Sequence, residues 1–303
     1  MSDKDFLSIS DLSPDEIGRI VREAREMKAG VSKRPLEGKI VALLFEKPSL
    51  RTRVSFEVGI RQLGGECIYL GKDDVGLGVR EPEADVARVL DRWVDAIVAR
   101  VFSHRSLELL AENTTIPVVN ALSDLEHPCQ AIGDLLTISE HKGTTEGLKV
   151  AFVGDGNNVA SSLALACASV GADFTIASPP DYQVPSIVWE EAKRRAAVNE
   201  TRVGWVELPQ YAVRDADVVY TDVWVSMGQA DERSKRLEAF KDYQVDGELM
   251  AYAKPDAIFM HDMPAHEGEE IAKGMLNHHR SVVFDQSENR LHAQKAILAR
   301  LVF

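Results

Sequence analysis

The stretch KIVALLFEKPSLRTRVSF, residues 39–56, decides the fold class of this chain. Residues 39–45 form a short apolar run after Gly38, which is typical of a parallel strand buried on both faces. Residues 50–63, which follow, are predicted to be a helix. A buried strand that leads directly into a helix is the unit from which parallel sheets are built.

The alternation of strand and helix continues on both sides of this stretch. A helix over 13–29 precedes it, with Ser13 as N-cap and Glu16 completing a capping box. We predict further strands at 66–70, 96–101, 117–120, 148–153, 173–177, 202–206, 218–222 and 257–261, and further helices at 82–94, 105–113, 128–141, 158–170 and 288–301. The polar stretch 142–147 separates two such series. The predicted fold is therefore α/β, with two domains that each hold a mostly parallel sheet flanked by helices.

The composition excludes several classes of partner. The formal net charge is −13 over 303 residues, and the basic field that nucleic acid or an anionic membrane requires is missing. No window approaches the roughly 20 apolar residues of a membrane helix, and the N-terminus does not read as a signal peptide. The three cysteines form no CxxC pair, which fits a reducing, cytoplasmic location.

Two polar segments of the first half follow predicted strands and open predicted helices. In SLRTR, residues 49–53, hydroxyls and guanidinium groups stand at a helix N-terminus, which favours a phosphate cradle. The alternative is a capped helix with solvated arginines. In HPCQ, His127 can donate to a carbonyl oxygen and Gln130 can donate and accept. Alone, such a histidine is more often structural.

Three further segments lie at predicted strand ends of the second half. GDGNNV, residues 154–159, imitates a dinucleotide fingerprint, but Val159 replaces its third glycine and no acidic residue ends the next strand. Its asparagines suit a carboxylate or an amide better than NAD. In DVWVSMG, residues 222–228, Asp222 can pair with an ammonium group or merely cap a strand. HDMP, residues 261–264, follows the last predicted strand.

The C-terminal part of the chain gives two further predictions. Arg290 falls in the first turn of the predicted last helix, where the helix dipole does not favour a cation, so an anionic partner would explain it. A solvated surface arginine is the alternative. Residues 266–270 resemble an acidic helix start, and His278 with His279 is expected to be solvated. No metal-ligand spacing is present, and we expect no metal.

Taken together and in this order, these segments resemble the aspartate/ornithine carbamoyltransferase family, from about residue 5 to 303. The resemblance implies two domains joined by interdomain helices. Residues 1–141, completed by the C-terminal helix 286–303, would bind carbamoyl phosphate, and residues 142–285 would bind the amino acid, ornithine. It also implies a trimer or a multiple of trimers, and no organic cofactor.

The resemblance also implies roles for individual residues. The carbamoyl group would pass from carbamoyl phosphate to the side-chain amine of ornithine, giving citrulline and phosphate. Carbamoyl phosphate would contact Ser49, Leu50, Arg51, Thr52, Arg100, His127, Gln130 and Arg290. The acceptor would contact Asn157, Asn158, Asp222, Ser226, Met227, Asp262 and Met263. The catalytic set would be Arg100, His127, Arg290, Asp222 and Asp262.

The chain departs from the family pattern at three positions. Leu50 replaces a threonine, and Gly76 replaces a glutamine that reaches a neighbouring subunit's site. Asp262 stands where the ornithine branch has cysteine, in HDMP instead of HCLP. A second carboxylate near Asp222 raises one of the two pKa values unless a cation lies between them. Asp262 is therefore either a tolerated variant or a determinant for a different amine. A third hypothesis is a non-catalytic sensor, but the intact residues of the phosphate side argue against it.

Overall fold

The structure is a computed structural model that describes residues 4–30, 34–226 and 228–302. The chain divides into two compact units. The first comprises Met1–Leu136 together with Asn289–Phe303, and the second is Thr137–Glu288. Each unit is built around its own sheet.

The first unit contains a parallel sheet with the strand order β2-β1-β3-β4. The strands are β1 Ile40–Phe45, β2 Glu66–Gly71, β3 Ala96–Arg100 and β4 Val118–Leu122, and the helices are α1 Pro14–Lys28, α2 Leu50–Gln62, α3 Lys72–Val75, α4 Glu83–Leu90 and α5 His104–Glu112. Almost every residue of β1, β3 and β4 is buried. Helices cover both faces of such a sheet, and this burial explains why β1 is a continuous apolar run.

The second unit contains a parallel sheet with the strand order β7-β6-β5-β8-β9. Its strands are β5 Lys149–Val153, β6 Asp173–Ala177, β7 Val203–Val206, β8 Val218–Thr221 and β9 Ile258–His261. The remaining α-helices of the described residues are α6 Pro128–Lys142, α7 Asn158–Ser169, α8 Ser186–Val198, α9 Pro209–Val213, α10 Arg233–Phe240, α11 Gly247–Met250 and α12 Val283–Leu301. The chain passes from one unit to the other within α6 and within α12.

The predicted fold class is confirmed, with two parallel sheets flanked by helices and the chain crossing between units inside helices. The predicted strands all form, within two residues of their predicted ends. Helices α3 and α8 to α11 were not predicted, and α4 ends at Leu90 instead of continuing to residue 94. No helix in the described ranges is long and apolar enough to cross a membrane.

Two predictions about the C-terminal part were wrong. Helix α12 begins at Val283, five residues before the predicted start, so Arg290 lies well inside the helix and not in its first turn. Val282 N donates to Phe259 O at 3.0 Å, so the chain leaves the edge of β9 and enters the helix at once. Residues 266–270 form no helix; they make bridges and turns that end at the buried Glu270.

Strand register places the chain's polar segments at the carboxyl edges of the two sheets. In the first unit Phe45 of β1 pairs with Arg100 of β3. In the second, Thr221 of β8 pairs with both Val153 of β5 and His261 of β9. Residues that directly follow these positions are neighbours, and ligands of open α/β sheets bind at such edges.

Candidate active site

The phosphate-side candidates begin at the N-terminus of α2. Ser49 is the N-cap, and its Oγ accepts a hydrogen bond from Thr52 N at 3.3 Å and donates to Thr52 Oγ1 at 3.0 Å. The first turn of a helix leaves backbone N–H groups without intrahelical acceptors and carries the positive end of the helix dipole. This turn can therefore bind an anion through the backbone N–H groups at its start. Leu50 is 75% exposed, so only its backbone belongs to this feature.

Arg100 extends this cluster from the end of β3. Its Nη1 donates to Thr52 Oγ1 at 3.4 Å, and both side chains are buried. The pairing of β3 with β4 shifts register between Ala99 and Arg100, and such a bulge re-aims the side chain at a strand end. Ser49, Thr52 and Arg100 thus form one hydrogen-bonded group of donors.

Lys47 lies at the same edge of the sheet and is not among the site residues predicted from the sequence. Its side chain is buried, with Nζ 4.6 Å from the centre of the Phe102 ring. Burial and then the charge of Arg100 lower the pKa of the Lys47 ammonium. Its position in the sequence, between the end of β1 and the SLRTR segment, could have indicated that it belongs to this site. The ammonium adds to the positive potential beside Arg100.

The HPCQ segment lies at the start of α6. His127 is buried, and its backbone oxygen accepts from Gln130 N and Ala131 N. Gln130 Nε2 donates to Asp134 Oδ1 at 2.8 Å, while Gln130 Oε1 is buried with no hydrogen-bond partner in the part of the chain that the structure describes. A buried, unpaired acceptor suits an amino group of a ligand. The Cys129 thiol donates to Asn120 O, and burial raises its pKa to about 12, so it is no nucleophile.

Arg290 lies beside this segment because α12 packs closely on α6. A Cβ on Gly133 would lie 3.3 Å from Arg290 Cα, so the two helices touch at a glycine. Arg290 is buried, and its positive charge counteracts the effect of burial on the pKa of Cys129. The position of Arg290 in the helix thus gives no reason to expect an anionic partner, but its burial does. A buried guanidinium group is costly unless it meets an acceptor or an anion.

The acceptor-side candidates gather at the carboxyl ends of β5, β8 and β9. Asn157 is the N-cap of α7, and its Oδ1 accepts from Val159 N and Ala160 N. Its Nδ2 donates to Asp222 Oδ2 at 2.8 Å. The amide that caps a helix on one side therefore orients a carboxylate on the other. Asn158 begins α7 and is half-buried.

Asp222 is a buried carboxylate next to a second one. Burial, followed by the negative charge of Asp262, raises the pKa of Asp222 to about 6, against the opposing effects of His261 and the hydrogen bond from Asn157. Asp222 follows Thr221 of β8, and Asp262 follows its partner His261 of β9. The structure thus brings together the two carboxylates that the sequence placed near each other. A cationic ligand group would relieve their repulsion.

The HDMP turn is held by the buried His261. Its Nδ1 accepts from Met263 N at 2.8 Å, so its Nε2 carries the proton and donates to Glu270 Oε1 at 3.2 Å. Met263 has a positive φ of 65°, a strained conformation for a residue with a Cβ. Burial opposes ionisation of Glu270, but its hydrogen bonds with His261 and His266 bring its pKa below the usual value.

The other predicted positions are less informative. Ser226 N donates to Gln229 Oε1 at 2.9 Å within a turn, and Met227 lies outside the described residues. Gly76 has a φ of 62°, and a Cβ there would lie 2.8 Å from Arg80 Cβ. The local turn therefore requires glycine where the family pattern has glutamine.

One group of side chains meets a distance criterion for metal binding that the sequence did not reveal. His266, Glu269 and Glu270 bring one potential ligand atom each within 4.8 Å of the others. Glu269 is paired with Arg233, and Glu270 accepts from His261 Nε2 and His266 N. Both carboxylates already have partners within the protein, and we do not assign a metal site to them.

Comparison with known proteins places this geometry in a family. The model of the aspartate/ornithine carbamoyltransferase carbamoyl-P binding domain matches residues 4–140, and that of the Asp/Orn binding domain matches residues 146–301. An ornithine carbamoyltransferase of Pyrococcus abyssi is 48% identical over 303 residues, with 99% of this chain and 96% of the relative covered. That of Anoxybacillus flavithermus is 49% identical over the same shares.

A solved structure agrees with the sequence comparisons. The ornithine carbamoyltransferase from Pyrococcus furiosus superposes with a TM-score of 0.94 at 49% identity, covering 98% of this chain and 96% of that one. The resemblance predicted from the order of the motifs is thereby confirmed. The chain belongs to the aspartate/ornithine carbamoyltransferase family.

Proposed function

We propose that this chain is an ornithine carbamoyltransferase, which transfers the carbamoyl group of carbamoyl phosphate to the side-chain amine of ornithine and forms citrulline and phosphate. The observation that carries the proposal is full-length similarity, at 48–49% identity, to relatives that bear this name. The buried carboxylate of Asp222, held by Asn157, agrees with an acceptor that carries an ammonium group.

The first unit is proposed to bind carbamoyl phosphate. The phosphate would accept from Ser49, the N–H groups at the start of α2, and the side chains of Arg51 and Thr52. The carbamoyl oxygen would accept from Thr52, Arg100 and His127. The buried Gln130 Oε1 would accept from the carbamoyl amino group, and Arg290 would add positive charge.

The reaction then follows from positioning and electrostatics. The neutral amine attacks the carbamoyl carbon, a C–N bond forms, and the carbonyl oxygen gains negative charge. Thr52, Arg100 and His127 stabilise this oxyanion, and the C–O bond to phosphate breaks. The departing phosphate takes the proton that the amine loses. Holding both reactants in line supplies up to about 7–11 kcal/mol of barrier reduction.

The second unit is proposed to bind the acceptor. Asp222 would pair with an ammonium group of ornithine, and Asn157 and Asn158 would contact its polar head. Ser226, Met227, Asp262 and Met263 complete the proposed contact set. Asp222 and Asp262 are also the proposed catalytic residues of this unit, because their charges control the protonation of the acceptor's amines.

A second acceptor is a specific alternative because of Asp262. The negative charge of Asp262 beside Asp222 favours an acceptor that carries more positive charge than ornithine. It also favours an acceptor whose reactive amine lies between the two carboxylates. The alternative is thus a carbamoyltransferase for a different amine. A non-catalytic sensor has less support, because Ser49, Thr52 and Arg100 are all retained and are linked by hydrogen bonds.

Assembly and location complete the proposal. Leu50, Val54 and Val58, four residues apart on α2, form an exposed apolar stripe, and Ile68 of β2 is exposed as well. A stripe of this kind marks a protein interface, and we propose that it lies in a homotrimer or a multiple of trimers. Light scattering would test the mass. The free thiols of Cys67, Cys129 and Cys167 agree with a cytoplasmic location.

The test is steady-state turnover of carbamoyl phosphate with a panel of amines: ornithine, putrescine, lysine, acetylornithine and aspartate. Turnover with ornithine alone supports the proposal and makes Asp262 a tolerated variant. Strong turnover with another amine replaces it with the alternative. Tight binding of carbamoyl phosphate without any turnover contradicts the proposal and leaves an acceptor outside the panel or the sensor.

A further inference from the structure

Arg236 is a buried arginine outside the two proposed sets of substrate contacts. It lies on α10, and only 6% of its surface is exposed. A buried guanidinium loses its hydration, so a chain keeps one only where its partners replace that hydration. The partners of Arg236 therefore indicate what it is for.

Its partners come from two loops of the acceptor side. Arg236 Nη1 donates to Asp155 Oδ2 at 2.9 Å and to Trp224 O at 3.0 Å. Asp155 lies in the loop after β5, and Trp224 lies in the loop after β8. One nitrogen atom thus connects two segments that are distant in sequence.

Packing around the guanidinium limits its movement. It lies 4.9 Å from the centre of the Tyr182 ring, and that ring packs on Phe240 of the same helix. Its Nε also donates to Glu232 Oε2 at 3.3 Å. The loop that carries Asp155 is itself tightly packed, because a Cβ on Gly156 would lie 2.2 Å from Val184 N.

The same two loops carry the proposed acceptor ligands. Asn157 follows Asp155 by two residues, Asp222 precedes Trp224 by two, and Asn157 Nδ2 donates to Asp222 Oδ2 at 2.8 Å. The loops are therefore joined twice, once by Asn157 with Asp222 and once by Arg236 with Asp155 and Trp224. A shift of either loop would change the direction of the Asp222 carboxylate.

We propose that Arg236 is a positioning residue for the acceptor, which sets the geometry of Asn157 and Asp222 by linking the loops after β5 and β8. The inference rests on the proposed function, since it takes Asp222 to bind the acceptor's ammonium group. Arg236 touches no substrate in this scheme. Its effect is transmitted through Asp155 and the Trp224 backbone.

The test compares three variants with a matched control. Arg236→Met removes both links, Arg236→Lys keeps the charge with one donor group, and Asp155→Asn keeps an acceptor without the charge. Arg195→Met is the control, since Arg195 is a mostly buried arginine of the same unit that pairs with Glu191 and Ser169. Circular dichroism and melting temperature show whether each variant is folded.

We expect Arg236→Met to raise the KM for ornithine by roughly 10- to 100-fold, because small displacements of a binding group cost about this much. The KM for carbamoyl phosphate should change less than about twofold. Arg236→Lys should recover part of the loss, and Asp155→Asn should resemble Arg236→Met in direction. Arg195→Met should leave both constants near wild type at temperatures where it is folded.

Other outcomes overturn the inference. Equal increases in both KM values, or the same pattern in Arg195→Met, would reduce Arg236 to a role in stability. Where Arg236→Met does not fold, unchanged ornithine KM values in folded Arg236→Lys and Asp155→Asn have the same meaning. A wild-type enzyme that uses another amine of the panel contradicts the proposed function instead, and the same ratios are then measured with that amine.

Discussion

Asp222 and Asp262 follow paired residues of two neighbouring parallel strands, because Thr221 of β8 is in register with His261 of β9. The charge of Asp262 adds to burial in raising the pKa of Asp222 to about 6. The proposed acceptor site therefore contains two interacting carboxylates, where the family pattern has one carboxylate and a thiol. Its chemistry should show in the pH dependence of the reaction.

Asp222→Asn should abolish efficient use of the acceptor. An amide keeps the hydrogen bond from Asn157 Nδ2 but offers no charge to an ammonium group, so kcat/KM for ornithine should fall by about 100-fold or more. The KM for carbamoyl phosphate should stay within about twofold. Asp217→Asn, at the other end of the strand, is the control: Asp217 pairs with Lys254, and its loss should lower stability without this selective effect. Equal losses for both substrates would contradict the assignment.

The same substitution should stabilise the fold at neutral and alkaline pH. The folded-state pKa of Asp222, about 6, lies above the ordinary 3.8, so ionising this buried group opposes folding. This contribution makes the wild type less stable as pH rises from about 4 to 6, and the penalty persists above pH 6. Denaturant unfolding at pH 8 should show Asp222→Asn more stable by on the order of 1–3 kcal/mol. At pH 4 the difference should nearly vanish; an equal difference at both values would exclude Asp222 as its source.

Asp262→Cys should move the pH profile toward acid. Removing the Asp262 charge lowers the pKa of Asp222, so the carboxylate needed for the acceptor stays ionised at lower pH. A weaker hold on ammonium also frees the neutral amine at lower pH. The acidic limb and the optimum of kcat/KM for ornithine should therefore both shift downward. Asp262→Asn should shift them in the same direction, whereas an unchanged profile in both variants would show that Asp262 does not influence the acceptor.

Gly133→Ala should weaken the carbamoyl phosphate side. The added methyl group would lie 3.3 Å from Arg290 Cα, a backbone atom, so α12 must move and carry Arg290 with it. Overpacking of this kind costs about 1–3 kcal/mol in stability. We also expect a higher KM for carbamoyl phosphate at temperatures where the variant is folded. Gly247→Ala is the matched control, because a Cβ there meets nothing within 4 Å. A wild-type KM in Gly133→Ala would show that the position of Arg290 is not critical.

Local patterns in the sequence were sufficient for the fold class and for the capped helix start at Ser49. A buried parallel strand reads as a continuous apolar run, as in residues 40–45, and the helix that follows starts at a residue with a capping hydroxyl, Ser49. Both signals lie within a few residues of the structure they predict. The strand ends that carry Asn157 and Asp222 were located for the same reason.

Features that depend on contacts between distant residues were decided by the tertiary structure. Helix α12 begins at Val283 because the chain pairs with Phe259 of β9 until Val282. No local sequence pattern predicts this pairing. Arg236 is singled out by no local pattern, because Asp155, which holds it in the interior, lies 81 residues earlier. The pKa of Asp222 depends on the register of β8 with β9 and on burial. Sequence alone determined which groups stand at the strand ends, and only packing decided which of them are buried together, because burial and charge interactions depend on distance in space.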